Sequence, residues 1–382
     1  MGGHRGVKTV SPAPGAASAP AITVETLEAL ARPVAEKQTL LRFGVIGYGY
    51  WGPQLTRNLD RLPIGEVAYI ADLSPDRREV AHFEFPSAHV TSDIDEVLRS
   101  DVDAVVIATP IRTHYELARR ALDSGKHVFV EKPLTAESAQ AIKLMHQAER
   151  MERVLMVGHT FMYNPAVEEL RRLMQSGALG RLYYIDAVRV NLGLFQRDIN
   201  VMWDLAPHDL SILSYILGKH PQRVSAHGGA YVRGQIHDVV YLSLEYPDGL
   251  LAHLHMSWLN PSKVRRFTLV GDQQMAVYDD VEATEKIRIF NRGVDSPNHT
   301  STFGEFQLSY RYGDIVSPHI HWSEPLAVEC RHFAECIMEG AAPRSDAREG
   351  LRVVQILEAA DASLAADGAF VPIAYSDELQ QL

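Results

Sequence analysis

The chain has 382 residues, of which 46% are hydrophobic and 22% are charged, and its formal net charge is -11. This length predicts two domains, and the composition is that of an ordinary globular protein. The acidic balance argues against nucleic acid as a partner, and no apolar run reaches the roughly 20 residues that a membrane-spanning helix requires.

The first 40 residues are rich in Ala, Pro, Gly and Ser, which predicts a disordered or extended N-terminal arm. No secretion signal is recognisable in this arm. The two cysteines, Cys330 and Cys336, lie six apart in a predicted helix and therefore do not share a face. We expect reduced thiols and a cytoplasmic protein.

Between residue 41 and residue 160, short apolar runs alternate with segments of helical spacing. The runs are "LRFGVI", "GEVAYIAD", "VDAVVIATP", "KHVFVEKP" and "RVLMVGH". Runs of this kind separated by helices predict βαβ units on a parallel sheet that is buried on both faces. Residues 41–160 are therefore predicted to form an α/β domain.

The first run continues into "VIGYGYWG", which places Gly47, Gly49 and Gly52 in G-x-G-x-x-G spacing between a strand and a helix. Such glycines permit a tight turn, let a pyrophosphate approach the backbone and let the helix pack on the strand. Asp72 ends the next run, where an acidic residue binds a ribose diol. The pattern predicts a Rossmann-type domain that binds NAD, and NAD is favoured over NADP because a carboxylate repels a 2′-phosphate.

The side chains around this turn allow two interpretations each. Tyr48 and Trp51 either cover the pyrophosphate or pack at the strand ends. Arg77 and Arg78 either favour a 2′-phosphate or form the solvated face of a helix, and we prefer the second interpretation.

The tripeptide "EKP", Glu131 to Pro133, stands at the carboxyl end of a later strand, where open α/β sheets bind their ligands. Lys132 is expected to project toward the nicotinamide and to serve as a proton carrier or as a hydrogen-bond donor to a hydroxyl. The alternative is a surface lysine ahead of a turn.

Residues 161–373 follow a different pattern. After the helical segment "NPAVEELRRLMQSG" come runs that alternate apolar and polar residues, from "LYYIDAVRVN" to "KIRIFN". They predict an α+β domain with a large, mainly antiparallel sheet that is open on one face. Two C-terminal helices close the chain and can pack back on the first domain, and residues 374–382 form a tail.

Within this second domain, "NVMWDLAPHDLSIL" carries Asp204 and His208 four residues apart. Pro207 is best tolerated in the first turn of a helix, so the helix is predicted to begin near it. Asp204 can then orient the imidazole of His208 and leave its other nitrogen for a substrate hydroxyl. A helix cap with a core histidine is the structural alternative, and a metal site is disfavoured because no third ligand accompanies the pair.

Together, "GVIGYGYWG", "EKPL" and the Asp-x-x-x-His of "WDLAPHD" resemble the glucose–fructose oxidoreductase, inositol dehydrogenase and rhizopine-catabolism family (Gfo/Idh/MocA) over roughly residues 41–373. The resemblance implies that the second domain covers the nicotinamide, binds substrate and forms a homodimer or homotetramer. It also implies that Lys132 is the active-site lysine and that Asp204 and His208 are the catalytic acid–base pair.

The predicted ligand contacts follow from these motifs. Cofactor contacts are Gly47, Tyr48, Gly49, Tyr50, Trp51, Gly52, Asp72, Thr109, Pro110, His114, Glu131, Lys132 and Pro133. The stretches "GHTFMYNPAV" and "RDINVMWDLAPHDLSIL" look most like the branch that acts on nucleotide-linked sugars, such as UDP-N-acetylglucosaminuronate 3-dehydrogenases. Substrate contacts predicted from position in these stretches and in the strand between them are Tyr163, Asn164, Arg189, Asn191, Asp198, Asn200 and His208, although each could instead be a structural polar group.

The predicted reaction is hydride transfer to NAD from a ring hydroxyl, at C3, of a nucleotide-linked sugar. Two other enzyme classes use the same residues: an NADP-dependent keto-sugar reductase and an NAD-dependent glycosidase that oxidises C3 transiently. The non-enzyme alternative is an NAD-binding regulator, which the presence of both Lys132 and His208 disfavours.

Overall fold

The computed structural model describes residues 40–295 and 309–376, all of which belong to one compact unit. The predicted N-terminal arm, apart from Leu40, and residues 377–382 of the predicted tail lie outside the described residues.

The first sheet consists of parallel strands in the order β3-β2-β1-β4-β5-β6. Its strands are β1 Leu41–Ile46, β2 Gly65–Ala71, β3 His89–Thr91, β4 Ala104–Ile107, β5 His127–Glu131 and β6 Leu155–Gly158. Every side chain of β4 is buried, and successive residues enter two different hydrophobic clusters, as Val106 and Ile107 illustrate. The predicted parallel sheet is confirmed, but β3 was missed because three residues are too few to show a period.

Helices cover both faces of this sheet. They are α1 Gly52–Asp60, α2 Pro75–Glu84, α3 Ile94–Arg99, α4 Ile111–Asp123 and α5 Ser138–Arg150. Leu55 of α1 joins one hydrophobic cluster, whereas Leu117 of α4 and Leu144 of α5 join the other. Because all strands run in one direction, the turns after β1, β2, β4 and β5 meet at a single edge of the sheet.

The second sheet has the order β14-β13-β12-β11-β7-β10-β9-β8-β15. Its strands are β7 Leu182–Leu192, β8 Arg223–Gly229, β9 Val239–Glu245, β10 Leu251–Ser257, β11 Leu259–Gly271, β12 Met275–Asp279, β13 Ile287–Asp295, β14 Ser309–Val316 and β15 Val371–Pro372. Only β7 and β10 pair in parallel, so the mainly antiparallel sheet is confirmed. The strands β14 and β15 were not predicted.

One face of the second sheet is open, as predicted. Along β10, Ala252, Leu254 and Met256 are buried, whereas His253 is exposed. The buried face packs against helices α7 Val201–Leu217 and α9 Ala347–Ala365.

The two sheets are joined by a 3₁₀ helix, Thr160–Tyr163, and by α6 Pro165–Gln175, while α8 Pro325–Glu339 precedes α9. The C-terminal helices return to the first sheet. Ser138 N–H at the start of α5 donates to Glu358 Oε1 of α9 at 2.8 Å, and Val157 N–H donates to the main-chain oxygen of Ser345 at 2.8 Å.

Both cysteines lie in α8 as buried free thiols. Burial raises the pKa of Cys336 to about 11, so this thiol stays protonated. No helix in the described part of the chain combines the length and apolar content that a membrane crossing requires.

Candidate active site

The turn after β1 can be formed only by glycine at its ends. Gly47 has φ +94°, and a Cβ there would lie 2.6 Å from the main-chain oxygen of Ala108. A Cβ on Gly52 would lie 2.3 Å from the main-chain oxygen of Gly47. Because these glycines carry no side chain, a ligand can approach the main chain at the point where α1 begins. A pyrophosphate requires this geometry.

Asp72, at the end of β2, anchors this turn. Its Oδ2 accepts a hydrogen bond from Tyr48 N–H at 2.6 Å, and its Oδ1 accepts one from Ser74 N–H at 2.8 Å. A carboxylate has about four acceptor positions, so capacity remains for a ribose diol. The Arg77 guanidinium lies 3.7 Å from Asp72, and Arg78 donates to the main-chain oxygen of Asp72 at 2.9 Å. Arg77 is exposed on α2, in agreement with our preferred interpretation of a solvated helix face, and both arginines also contact Asp72.

The aromatic residues of the turn differ in exposure. Tyr48 is buried, and its hydroxyl donates to Glu84 Oε2 at 2.5 Å, so its side chain is part of the core and cannot cover a pyrophosphate. Tyr50 and Trp51 are 76% and 37% exposed and stack edge to face with ring centroids 5.6 Å apart. These two remain predicted cofactor contacts.

Two other predicted cofactor contacts are buried behind the edge of the sheet. His114 lies with its Nδ1 2.9 Å from the main-chain oxygen of Pro133 and its Nε2 2.8 Å from that of Thr109. It thereby ties together the turns after β4 and β5, and burial lowers the pKa of this imidazole. Glu131 is 7% exposed and lies over Gly158 of the neighbouring strand. Both side chains therefore have structural surroundings, and cofactor contact by His114 or Glu131 stays a prediction.

Lys132 extends from the end of β5 to helix α7. Its Nζ donates to the main-chain oxygen of Asp204 at 2.7 Å and to Asp204 Oδ1 at 3.2 Å. Trp258 Nε1 donates to the other carboxylate oxygen, Oδ2, at 3.1 Å. The lysine side chain is only 10% exposed, so its position is closely restricted. An ammonium has three N–H donors, which leaves one for a ligand.

Helix α7 begins six residues before Pro207, so the predicted helix start was wrong. The cap is Asn200, whose side chain accepts a hydrogen bond from Trp203 N–H at 3.1 Å. Pro207 lies in the second turn, where its missing N–H deprives the Trp203 carbonyl of its usual partner. Burial of most of the helix against the sheet offsets this loss. Asp204 and His208 lie one turn apart on one helix face.

The imidazole of His208 is not bonded to Asp204, contrary to our prediction, and the partners of that carboxylate are Lys132 and Trp258. The ring packs edge-on against Phe161 with centroids 5.1 Å apart. Burial, assisted by the positive charge of Lys132, lowers the pKa of His208 well below its usual value, so the imidazole is neutral. Its Nδ1 is buried without a partner among the described residues. A neutral imidazole of this kind can accept a proton.

Arg189 lies in a buried ion pair and not at an open ligand surface. Its Nη2 is 2.6 Å from Asp209 Oδ1, and the two side chains are 4% and 1% exposed. Arg189 therefore has a structural partner, and its contact with substrate stays a prediction. An arginine that was not predicted, Arg265, is partly exposed, lies 3.3 Å from Asp280 and faces the Phe161 ring at 5.8 Å.

Two further predicted substrate contacts have structural roles. Tyr163 is buried, with its hydroxyl 3.0 Å from Ser345 Oγ. Asn164 is buried and caps α6 by accepting a hydrogen bond from Ala166 N–H at 2.9 Å. Sugar contact by Tyr163 or Asn164 stays a prediction. Asn191 is partly exposed near the end of β7 and remains a predicted contact.

A cleft of about 430 Å³ lies beside α7 and includes the remaining predicted contacts, Asp198 and Asn200. Arg112 lies across from Asp198, with 4.0 Å between the guanidinium and the carboxylate. On another wall, Trp203 Nε1 donates to Asp361 Oδ2 at 2.6 Å. The cleft is open and polar, and it adjoins the helix that carries Asp204 and His208.

The residues present fit a dinucleotide. The glycine turn, the remaining acceptor capacity of Asp72 and the exposed Pro110 at the start of α4 lie on one edge of the first sheet, and Lys132 ends a strand of the same edge. No group of three or more His, Cys, Asp or Glu side chains suited to a metal ion occurs within residues 40–295 and 309–376.

Comparison with known families agrees with this geometry. A family model described as "Oxidoreductase family, NAD-binding Rossmann fold" matches residues 41–159. A second, described as "GFO/IDH/MocA C-terminal domain", matches residues 167–277. Residues 41–159 are therefore an NAD-binding Rossmann domain.

Several of the individual relatives are named as dehydrogenases. The UDP-N-acetylglucosamine 3-dehydrogenase of Acidithiobacillus ferrooxidans is 31% identical over 261 residues, which cover 66% of this chain and 78% of that protein. A solved structure of such an enzyme from the same organism, GnnA, matches with a TM-score of 0.70 at 27% identity, covering 86% of this chain and 98% of that one.

Two further similarities extend the comparison. The scyllo-inositol 2-dehydrogenase (NADP(+)) IolW of Bacillus subtilis is 25% identical and covers 85% of this chain and 94% of its own length. GenD2 from gentamicin A biosynthesis, solved in complex with NAD, has a TM-score of 0.75 at 22% identity and covers 90% of this chain and 99% of its own. The likeness to GenD2 is one of fold alone.

Proposed function

The chain belongs to the Gfo/Idh/MocA oxidoreductase family, and from this premise we propose that it oxidises a ring hydroxyl of a nucleotide-linked sugar at C3. Family membership establishes an NAD-binding oxidoreductase. The observation that carries the choice of reaction is that Asp204 holds the ammonium of Lys132, while His208, one helical turn further along α7, is kept neutral by burial and by the charge of that lysine.

Each residue has a distinct role in this proposal. Lys132 donates its remaining N–H to the carbinol oxygen and stabilises the negative charge that develops there. His208 accepts the hydroxyl proton, for which its neutral state is required. Asp204 positions Lys132 instead of His208, which revises the role that the sequence suggested. Bound NAD supplies the hydride acceptor.

The choice of substrate has separate support. The relative with 31% identity is named for oxidation of a UDP-sugar at C3. The cleft beside α7 is wide enough for a sugar, and its wall contains the Arg112 guanidinium, which can bind phosphate or hydroxyl oxygens.

The direct test is to mix the purified protein with NAD and a panel of UDP-sugars, dTDP-sugars, free sugars and inositols, and to follow the absorbance of NADH. We expect NADH formation with one or more UDP-sugars and oxidation at C3 in the isolated product. Oxidation of free polyols alone would overturn the substrate assignment. Release of a sugar from a glycoside without accumulation of NADH would indicate the glycosidase alternative.

Variants of two histidines, His208 and His220, test the proposed proton acceptor. His208→Asn should reduce kcat on the accepted sugar by about 10²-fold or more, as expected for a positioned base. His220→Asn is the matched control, since burial also lowers the pKa of His220, to about 4, but this residue follows the far end of α7. Equal rates for His208→Asn and the parent would contradict the assigned role.

A further inference from the structure

A set of buried titratable groups lies behind the active-site lysine and has no part in the chemistry above. Glu131, His159 and Glu329, which we call the buried acid cluster, are 7%, 0% and 0% exposed. They belong to three elements: the end of β5, the residue after β6, and α8. Gly158 pairs with Glu131 in the sheet, so His159 follows immediately beside it, and Thr160 Oγ1 donates to Glu329 Oε2 at 2.7 Å.

The polar atoms of this cluster are mostly unpaired. Glu131 Oε1, Glu329 Oε1 and both ring nitrogens of His159 have no partner among the described residues. Buried polar atoms are nearly always hydrogen-bonded, and internal water is the usual partner where the protein supplies none. Unpaired atoms also occur on the adjoining His208 and Arg189, so they concentrate beside the candidate active site.

The surroundings assign different protonation behaviour to the three groups. Burial raises the pKa of Glu131 to about 7, although the charge of Lys132 opposes the rise. Burial also raises the pKa of Glu329, and the charge of Glu131 adds to this rise. Burial lowers the pKa of His159 to about 3, in the same direction as the charge of Lys132. At neutral pH the imidazole is therefore uncharged, while Glu131 can gain or lose a proton.

Three more titratable groups face the cluster. Burial raises the pKa of the Tyr163 hydroxyl and of the Cys330 thiol in α8, and burial lowers that of His208 in α7, so all three stay uncharged. Lys132 is thus the charged neighbour of Glu131 and His159 in the described part of the chain.

We propose that Glu131, His159 and Glu329, with internal water, form a proton-transfer path that carries the carbinol proton away from His208. In the oxidation the C–H bond breaks with its electron pair, which goes with the hydrogen to NAD, and the O–H proton goes to His208. His159 accepts a proton at one ring nitrogen and releases one from the other, and the Glu131 carboxylate receives it and becomes a neutral acid. Glu329 accepts the hydrogen bond of Thr160 beside the path and neither gains nor loses a proton in the transfer.

This path rests on the proposed function, because it requires an oxidation that releases a proton at His208. Cofactor binding nevertheless tests the cluster without any sugar. The oxidised nicotinamide brings a positive charge to this edge of the sheet, and a nearby positive charge favours an ionised carboxylate. Binding of NAD⁺ to the purified protein near pH 7 should therefore release part of a proton from Glu131.

Calorimetric titration of NAD⁺ in two buffers of different ionisation enthalpy measures that release. We expect up to about half a proton for the parent at pH 7 and none for Glu131→Gln. Glu349→Gln is the matched control: Glu349 is buried, has an unpaired Oε1, and burial raises its pKa to about 7, but it lies in α9 and bonds Ser214. This control should release as many protons as the parent.

Infrared difference spectra of the NADH-bound and NAD⁺-bound parent give a second readout, in which the band of a neutral carboxylic acid should change. That readout remains decisive if Glu131→Gln does not fold. On an accepted sugar, His159→Asn should lower kcat about tenfold and increase its solvent isotope effect while leaving KM for NAD unchanged.

Absence of proton release in the parent, or equal release in Glu131→Gln, would overturn the path, as would an unchanged carboxylic-acid band. Failure of the proposed function looks different: no sugar in the panel would form NADH, while proton release would still depend on Glu131.

Discussion

The two ends of the candidate site are constructed differently. At the nucleotide end, Gly47 and Asp72 follow neighbouring strands of one sheet, and the turn is held by main-chain groups. At the chemical end, Lys132, Asp204 and Trp258 come from β5, α7 and the residue after β10, and side chains make the contacts.

This difference follows from what each end must bind. A phosphate is recognised by main-chain N–H groups, which consecutive residues supply. Proton transfer needs side chains of set protonation state, and their spacing depends on the packing of distant segments. The nucleotide end should therefore be sensitive to added volume, and the chemical end to the loss or titration of polar groups.

Loss of the ammonium at the chemical end should have the largest effect. Lys132→Met keeps most of the stem and should lower kcat on the accepted sugar by about 10³-fold, within the range for positioned proton-transfer groups. NADH affinity, measured by fluorescence, should be nearly unchanged. Lys126→Met is the control, because Lys126 also donates to main-chain oxygens, those of Ser100 and Val102 at 2.8 Å, but lies away from the site. If Lys132→Met lost NADH affinity by as large a factor as it lost kcat, the two ends of the site would not have separate roles.

The chemical end should also respond to pH through stability. The pKa of His159 is about 3 in the folded protein against a usual 6.5, so below pH 6.5 the unfolded chain binds the proton first and the parent loses stability. His159→Gln lacks this titration and should gain roughly 3 kcal/mol relative to the parent between pH 6.5 and about pH 4. Urea unfolding of both proteins across this range measures the difference. A difference that does not vary with pH would show that His159 is not held neutral.

Added volume tests the nucleotide end. Gly52→Ala places a Cβ 2.3 Å from the main-chain oxygen of Gly47, and the turn must open to accommodate it. We expect a loss of about 10- to 100-fold in NAD affinity, from a strain of about 1–3 kcal/mol, with kcat at saturating NAD near that of the parent. Gly234→Ala, where a Cβ would meet nothing within 4 Å, is the control. A fall in kcat without a fall in affinity would contradict the separation of roles.

The smallest expected effect concerns the helix that links the ends. Asn200→Ala removes the cap of α7 and should cost about 1 kcal/mol of stability in thermal unfolding. It should also lower kcat about twofold, because the start of α7 positions Asp204. Asp93→Ala removes the cap of α3, where Asp93 Oδ1 accepts from Asp95 N–H at 2.9 Å, and should cost similar stability without changing kcat. Identical kcat values for the two variants would show that the chemical end does not depend on this cap.

The sequence predicted the fold and the nucleotide end well, because both are encoded locally. The apolar runs and their helical spacers predicted the parallel sheet, and the glycine spacing with Asp72 at a strand end predicted the turn. The start of helix α7 was the exception. Asn200 starts α7, whereas Pro207 was expected to do so, because burial of the helix offsets one missing hydrogen bond.

The chemical end could be predicted only as a set of residue types. Lys132, Asp204 and His208 were identified, but the partner of Asp204 was not, since Trp258 lies 54 positions away and carries no local signal. Arg265 was missed because the alternation of residues along a strand does not indicate which face of the sheet lies next to the active site.

The sequence by itself determined most of the strands, the glycine turn and the presence of a lysine at the edge of the sheet, since each depends on neighbours within a few residues. Only the tertiary structure decided which carboxylate holds that lysine and which imidazole is kept neutral. Both outcomes depend on burial and on charges brought together from separate segments, and neither quantity is defined until those segments pack together.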